Sequence, residues 1–344
     1  MDQKFDLDRL IRPAIKNLRP YSSACEELAA LQSESRSAES SVLPGEFIRL
    51  DANELPALLI GMDGKNDFEE PVNRYPGGIR QKLTAQLAAV FSLDTGQVFL
   101  GNGSDEIIDI LLRCFARPGM DQILSFLPGF AMYGQSARIN ELEVLNCPLD
   151  DNFHINASQA LRMAGENTRI IFICHPNNPT GNTQPAAEIE RLLTEFSGLV
   201  VIDEAYIDFC YEESWLPRLN DYPNLIILRT FSKAMGLAGA RVGMAFAGKE
   251  IISVMNTVRM PYNLGIPNMH LALKALNSWG AYQLEILSVC RRREELALAL
   301  SGLNSVQKVY PSKANFLLVK TSDADRLHRE LAMRGILVRN RSRE

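Results

Sequence analysis

The 344-residue chain predicts an α/β protein: a mostly parallel sheet flanked by helices, with a smaller α+β unit beside it. Three observations carry that expectation. Between residues 98 and 247, short apolar, β-branched runs alternate with amphipathic stretches, the pattern of strands buried on both faces and joined by crossover helices. The polar and glycine-bearing segments fall just after those runs, where an open parallel sheet places its ligands. After Ile266 the pattern turns helical and then alternates again on a smaller scale, which implies a second unit.

Composition bounds the function. A hydrophobic share of 46% supports a large core, and a net charge of −5 with scattered Lys and Arg argues against nucleic acid as the main partner. The N-terminus (Met1-Asp2-Gln3-Lys4) is charged where a signal peptide needs an apolar core. No apolar run approaches the length of about eighteen residues that a membrane helix needs, so a soluble, cytoplasmic protein is expected. Cysteines 25, 114, 147, 174, 210 and 290 lie far apart without a Cys-x-x-Cys pair; they read as small buried hydrophobes in a reducing compartment, and no metal site is expected.

Residues 5–30 read as a helical arm broken by Pro13 and Pro20, and the Ser- and Glu-rich stretch 32–46 as a flexible surface loop. Leu50–Pro56 and Asn73–Gly78 are dense in turn residues, and Ile79–Phe91 is an amphipathic helix. A strand at 98–100 enters the turn Gly101-Asn102-Gly103 and a helix from Ile107 to Phe115. Strands follow at 122–125, 141–146, 169–175, 199–203, 225–230 and 242–247, with helices near 131–139, 156–165 and 185–197. Helices 266–278 and 281–301, strands 306–310 and 315–320, helix 323–334 and strand 336–339 then predict a βαβ-like small domain packed with the N-terminal arm. The expected division is 1–50 (arm and part of the small domain), 51–265 (large domain) and 266–344 (helical connection and C-terminal small domain).

Four strand ends carry chemistry. Thr230-Phe231-Ser232-Lys233 continues to Arg241, setting one amine among hydroxyl and guanidinium groups that suit a phosphorylated carbonyl compound such as pyridoxal phosphate. A nucleotide P-loop is excluded because Gly-x-x-x-x-Gly-Lys-Ser/Thr is absent. Gly101 and Gly103 allow close backbone approach, and Ser104 can cap a helix whose free N–H groups face an anion. Asn178 follows the strand 169–175, and Asp203 ends the strand 199–203, where a buried carboxylate needs a cationic partner such as a protonated pyridine nitrogen.

Together, Pro176-Asn177-Asn178-Pro179-Thr180-Gly181, Asp203-Glu204-Ala205-Tyr206, Ser232-Lys233 and Arg241 resemble the signature of fold-type I pyridoxal-phosphate aminotransferases, whose large domain holds a mostly parallel seven-stranded sheet. Asp51-Ala52-Asn53-Glu54, Asn73-Arg74-Tyr75-Pro76, Gly101-Asn102-Gly103-Ser104-Asp105-Glu106, Asn315-Phe316 and Gly335–Arg339 are similar to the histidinol-phosphate aminotransferase branch of that group.

The resemblance implies a homodimeric enzyme of histidine biosynthesis that uses pyridoxal 5′-phosphate to exchange an amino group between L-histidinol phosphate and 2-oxoglutarate. Lys233 is then the Schiff-base lysine and proton carrier, Asp203 the partner of the ring nitrogen, and Tyr206 and Asn178 the partners of the ring oxygen. Ser104, Asp105, Thr230, Ser232 and Arg241 hold the phosphate, with Tyr75 reaching the neighbouring subunit's site. Phe130 stacks on the ring where the family usually has a tyrosine. Tyr21, Asn53 and Arg339 line the substrate side, Arg339 as an anion clamp. Family members also carry a strand with a further arginine beyond the position of Glu344, so the small domain is expected to be truncated there. Two rivals share the scaffold, an aromatic amino-acid aminotransferase and a threonine-phosphate decarboxylase. A non-catalytic cofactor-binding homologue is the alternative of a different class, and intact Lys233, Asp203, Tyr206 and Arg241 argue against it.

Overall fold

The computed structural model describes residues 5–16, 68 and 70–342. Seven strands, β1 (Val98–Gly101), β2 (Gln122–Leu127), β3 (Glu143–Pro148), β4 (Thr168–Cys174), β5 (Leu199–Asp203), β6 (Leu225–Thr230) and β7 (Gly243–Ala247), form one sheet in the order β1-β7-β6-β5-β4-β2-β3. Only β7 runs antiparallel to its neighbours, pairing Gly101 with Gly243 on one side and Thr230 with Gly243 on the other. The other neighbouring pairs are parallel.

Alternation within the central strands divides the core in two. Val200 and Ile202 of β5 and Leu225 and Ile227 of β6 face one layer, with Leu83, Leu87, Ile189, Leu192, Met269 and Leu273 from the helices Ile79–Phe91, Ala186–Glu195 and Ile266–Asn277. Leu199, Val201, Ile226 and Leu228 face the other, with Ile107, Leu111, Ile251 and Met255 from Gly103–Phe115 and Lys249–Val258. Each of these side chains is essentially fully buried, and at about 1.5–3 kcal/mol apiece such burial holds both helical layers to the sheet. The sheet's carboxyl edge is thereby fixed, and the polar strand ends project from a rigid base.

The helix Lys249–Val258 is an element the sequence pattern did not announce. Ile251, Ile252, Val254, Asn256, Thr257 and Val258 are all modest helix formers, so local preference is weak and docking of Ile251, Ile252 and Met255 decides the outcome. The arm does break at its first proline: single helical turns at Leu7–Leu10 and Pro13–Lys16 flank residues 11 and 12. Its continuation through Pro20 and the stretch 32–46 lies outside the described residues.

After the helix Trp279–Ser301, β8 (Val306–Val309) and β9 (Val319–Thr321) pair antiparallel and are followed by the helix Ala324–Met333. The expected βαβ arrangement is therefore replaced by a two-stranded antiparallel ribbon. Residues 336–339 form no strand, because no described strand pairs with them, and Ile336, Leu337 and Val338 stand exposed.

Candidate active site

The carboxyl ends of β4, β5 and β6 and the start of the helix Gly103–Phe115 frame a pocket that is partly open to solvent. Ten residues singled out in the sequence line it: Ser104, Asp105, Phe130, Asn178, Asp203, Tyr206, Thr230, Ser232, Lys233 and Arg241. Sequence separations of more than a hundred residues vanish here because the sheet order sets β1, β6 and β7 side by side.

One end of the pocket is built for an anion. The helix Gly103–Phe115 opens with Ser104 and Asp105, so its unpaired N–H groups and dipole face the cavity. Arg241 reaches the same point, with Nη2 3.4 Å from Asp105 Oδ2. Two glycines make this closeness possible. Gly103 adopts a left-handed φ of 77°, and a side chain there would run into the Arg241 guanidinium. Gly243 lies so near Gly103 and Ser104 that a β-carbon would overlap their backbone. Arg241 is itself left-handed, at φ 51°, an uncommon conformation for a non-glycine residue that aims its side chain into the cradle. Alongside, Ser232 N–H donates to Thr230 Oγ1 (3.1 Å), and the Thr230 hydroxyl donates to Ser232 Oγ (2.9 Å).

The other end is anionic and dry. Asp203 is buried at the end of β5; Ala205 N–H donates to its Oδ1 at 3.0 Å and the Tyr133 hydroxyl to its Oδ2 at 2.8 Å. Burial lifts its carboxyl to about 6, against the pull of the Tyr133 hydrogen bond. Asn178 Nδ2 donates to the Tyr206 hydroxyl at 3.4 Å, and burial drives that phenol well above its ordinary range, so it stays protonated. The Lys233 ammonium lies 5.2 Å from the Tyr206 ring centre, and among the described residues it makes no hydrogen bond or ion pair. Phe130 packs edge-on to Tyr133 at 5.3 Å. An amine, a buried carboxylate, an aromatic face and an anion cradle within one pocket suit pyridoxal phosphate, whose aldehyde, ring nitrogen, ring face and phosphate require those four groups.

Below the pocket, Glu204 points away from it and accepts from Arg229 Nη2 (2.8 Å) and Nε (3.0 Å) and from Trp215 N–H (2.6 Å). Ser214 bridges the pair, and Asp208 adds a carboxylate 3.8 Å from Arg229. His175 is a second buried anchor: Gln184 N–H donates to Nδ1 (3.0 Å), leaving Nε2 to donate to the Glu213 carbonyl (3.0 Å), while burial lowers its basicity. Both hold loops that carry pocket residues.

Other expected site residues fall elsewhere. Tyr75 is 48% exposed, away from this chain's pocket, and stacks on Tyr262 at 4.4 Å. Arg339 is exposed and does not line the pocket, whereas the charge of Arg341 reaches the Tyr206 hydroxyl. Tyr21 and Asn53 lie outside the described residues. Tyr133, Cys174 and Ala205 escaped the sequence reading. Tyr133 sits three residues after Phe130, across the turn that opens the helix Met132–Ile139, and that spacing was its available signal. Cys174 is buried as expected, but at the pocket wall, where burial keeps its thiol protonated.

No helix among the described residues is long and apolar enough to cross a membrane. Residues 50–343 match the family of class I and II aminotransferases. Histidinol-phosphate aminotransferase of Flavobacterium johnsoniae is 41% identical over 338 residues, 98% of this chain and 90% of the relative. That of Parabacteroides distasonis is 42% identical over 337 residues with the same coverage. The crystal structure of histidinol-phosphate aminotransferase from Sinorhizobium meliloti in complex with pyridoxal-5′-phosphate superimposes with a TM-score of 0.71 over 78% of this chain and 75% of that one; at 23% identity it speaks for the fold. Sheet, pocket and sequence thus agree, and the chain belongs to the class I and II aminotransferase family.

Proposed function

We propose that the chain is a pyridoxal-phosphate-dependent histidinol-phosphate:2-oxoglutarate aminotransferase. The observation that carries the reading is the convergence of Lys233, Asp203, the Asn178–Tyr206 pair and the Ser104–Arg241 anion cradle in one pocket. Relatives about 40% identical over nearly the whole chain bear that enzyme's name. When bound, the cofactor supplies an electron-withdrawing ring that accepts the charge developing at the substrate's Cα.

The chain's own residues do the rest. Ser104, Asp105, Thr230, Ser232 and Arg241 hold the phosphate, and Phe130 covers the ring face. Asp203 answers the positive ring nitrogen, while Tyr206 and Asn178 fix the ring oxygen. Lys233 would hold the cofactor through its aldehyde carbon, with loss of water, and as a free amine would carry the substrate's Cα proton. Its exposed position, with no carboxylate ion pair among the described residues, suits a group that must change partners. Tyr21, Asn53 and Arg339 serve the substrate, and the protein works as a cytoplasmic homodimer. The dimer reading rests on the match of Tyr75 to the family tyrosine that reaches the neighbouring subunit's site; in this chain Tyr75 does not line the pocket.

The test is the absorbance spectrum of the protein with pyridoxal phosphate, before and after L-histidinol phosphate, beside Lys233→Ala. A visible band that requires Lys233 and is converted by histidinol phosphate supports the proposal. A band that histidinol phosphate leaves unchanged keeps the cofactor and refutes the substrate. Carbon dioxide release from threonine phosphate would move the assignment to a decarboxylase, and faster turnover of phenylalanine to an aromatic aminotransferase.

A further inference from the structure

We infer that Tyr133 is a positioning residue for the reaction: its hydroxyl fixes the plane of the Asp203 carboxylate and keeps that group a hydrogen-bond acceptor toward the cofactor's ring nitrogen. The inference rests on the reading of the pocket as a pyridoxal-phosphate site. Tyr133 lies in the first turn of the helix Met132–Ile139, 2% exposed, and its oxygen is 2.8 Å from Asp203 Oδ2. Its ring is held independently of that bond, stacked on Phe172 at 4.8 Å and 11° and set edge-on against Phe130 at 5.3 Å. The hydroxyl is therefore delivered to a fixed point by packing, and the carboxylate must come to it.

Each Asp203 oxygen then has one fixed donor, Ala205 N–H on Oδ1 and Tyr133 on Oδ2, and each keeps a free lone pair. Two donors on different oxygens fix the carboxylate's rotation about its terminal bond, which one donor would leave loose. The proton count follows from burial. A carboxylate in this dry site tends to take up a proton, and in that form it could not balance a cationic ring nitrogen. A hydroxyl that donates to the ionised form opposes that drift. Tyr133 keeps a proton to donate here, because burial and the charge of Asp203 hold its phenol far above its usual range. The other titratable groups acting on Asp203 are Asp105 and Lys233 across the pocket, with Cys174 and Tyr206 alongside. Among the described residues, no side chain other than Tyr133 donates a hydrogen bond to it.

Tyr133→Phe isolates the hydroxyl, since stacking on Phe172 needs only the ring. In the holoenzyme loaded with ring-15N pyridoxal phosphate, the ring nitrogen's titration should move about one pH unit lower than in the wild type, a tenfold change, with kcat falling by a similar factor. In the cofactor-free protein, the Asp203 13Cγ titration should move to higher pH, a readout that holds even if the variant binds cofactor poorly. Unchanged titrations of both nuclei would overturn the inference and leave Tyr133 a packing residue. Asp203→Asn separates the two levels of the argument. If that variant's ring nitrogen titrates like the wild type, Asp203 does not face the nitrogen, and the pocket reading fails before the role of Tyr133 arises.

Discussion

Glu204→Gln should cost this protein about 3 kcal/mol of stability, although Glu204 touches no substrate or cofactor. The figure follows from its surroundings. The Glu204 side chain is 0% exposed and that of Arg229 3%, so neutralising the carboxylate leaves a guanidinium buried and largely uncompensated. Removing one partner of such a pair typically costs 3–5 kcal/mol. The lower end applies because Asp208, 12% exposed and 3.8 Å from Arg229, remains, and the glutamine oxygen still accepts hydrogen bonds. Against a urea dependence of roughly 3 kcal/mol/M, the unfolding midpoint of the cofactor-free protein should drop by about 1 M. The double variant Glu204→Gln with Arg229→Met should lose less than the sum of the single changes by about 2 kcal/mol, since the second change removes the stranded charge. Because Glu204 adjoins Asp203, cofactor affinity should weaken with stability. A Glu204→Gln midpoint equal to the wild type's would refute the reasoning, and strict additivity would show that the two side chains do not act as a pair.

Three further outcomes are expected. The Asp203 carboxyl titrates near 6 in the folded chain rather than its ordinary 3.8, so its contribution to the stability of the cofactor-free protein is full below pH 4 and is lost as pH rises through 6. The wild type should therefore lose about 3 kcal/mol relative to Asp203→Asn between those limits, as read by urea unfolding at each pH; parallel curves would contradict it. Gly243→Ala forces a methyl group into the Gly103–Ser104 backbone, so phosphate-end affinity should fall at least about tenfold by fluorescence titration with pyridoxal phosphate, at a stability cost of about 1–3 kcal/mol. Arg339→Gln should raise KM for histidinol phosphate by about tenfold or more with little change in kcat; an unchanged KM would turn attention to Arg341, whose charge already reaches Tyr206.

Much of the pocket could be read from sequence because strand ends announce themselves. The apolar run 199–203 stops at Asp203 and the run 225–230 stops at Thr230, and both residues line the pocket. Four features stayed hidden for physical reasons. The reversal of β7 leaves no mark on an apolar run buried on both faces, since Gly243–Ala247 reads alike in either direction. The helix Lys249–Val258 has only Lys249, Glu250 and Met255 as strong helix formers among weaker ones, and its contacts decide the outcome. The segment 336–339 looks like a strand by composition, but pairing rather than composition makes a strand, and no described neighbour supplies it. Tyr133 was missed because an apolar, aromatic helix face reads as core; that its hydroxyl meets a carboxylate 70 residues away is a property of the assembled sheet.

The place of β1 at the edge of the sheet governs when the chain becomes competent to bind. Among the described residues β1 pairs with β7 alone, and it leads directly into the helix that presents Ser104 and Asp105. Until β7 slots between β1 and β6, the strand that leads into that helix has no backbone pairing, among the described residues, that ties it to the strands bearing Asp203 and Thr230. The anion cradle is thus a closing clasp, completed only when the last strand of the sheet arrives. Cofactor fluorescence recorded during refolding should lag the burial of Trp215 in the central core, and would then time the closure of the sheet.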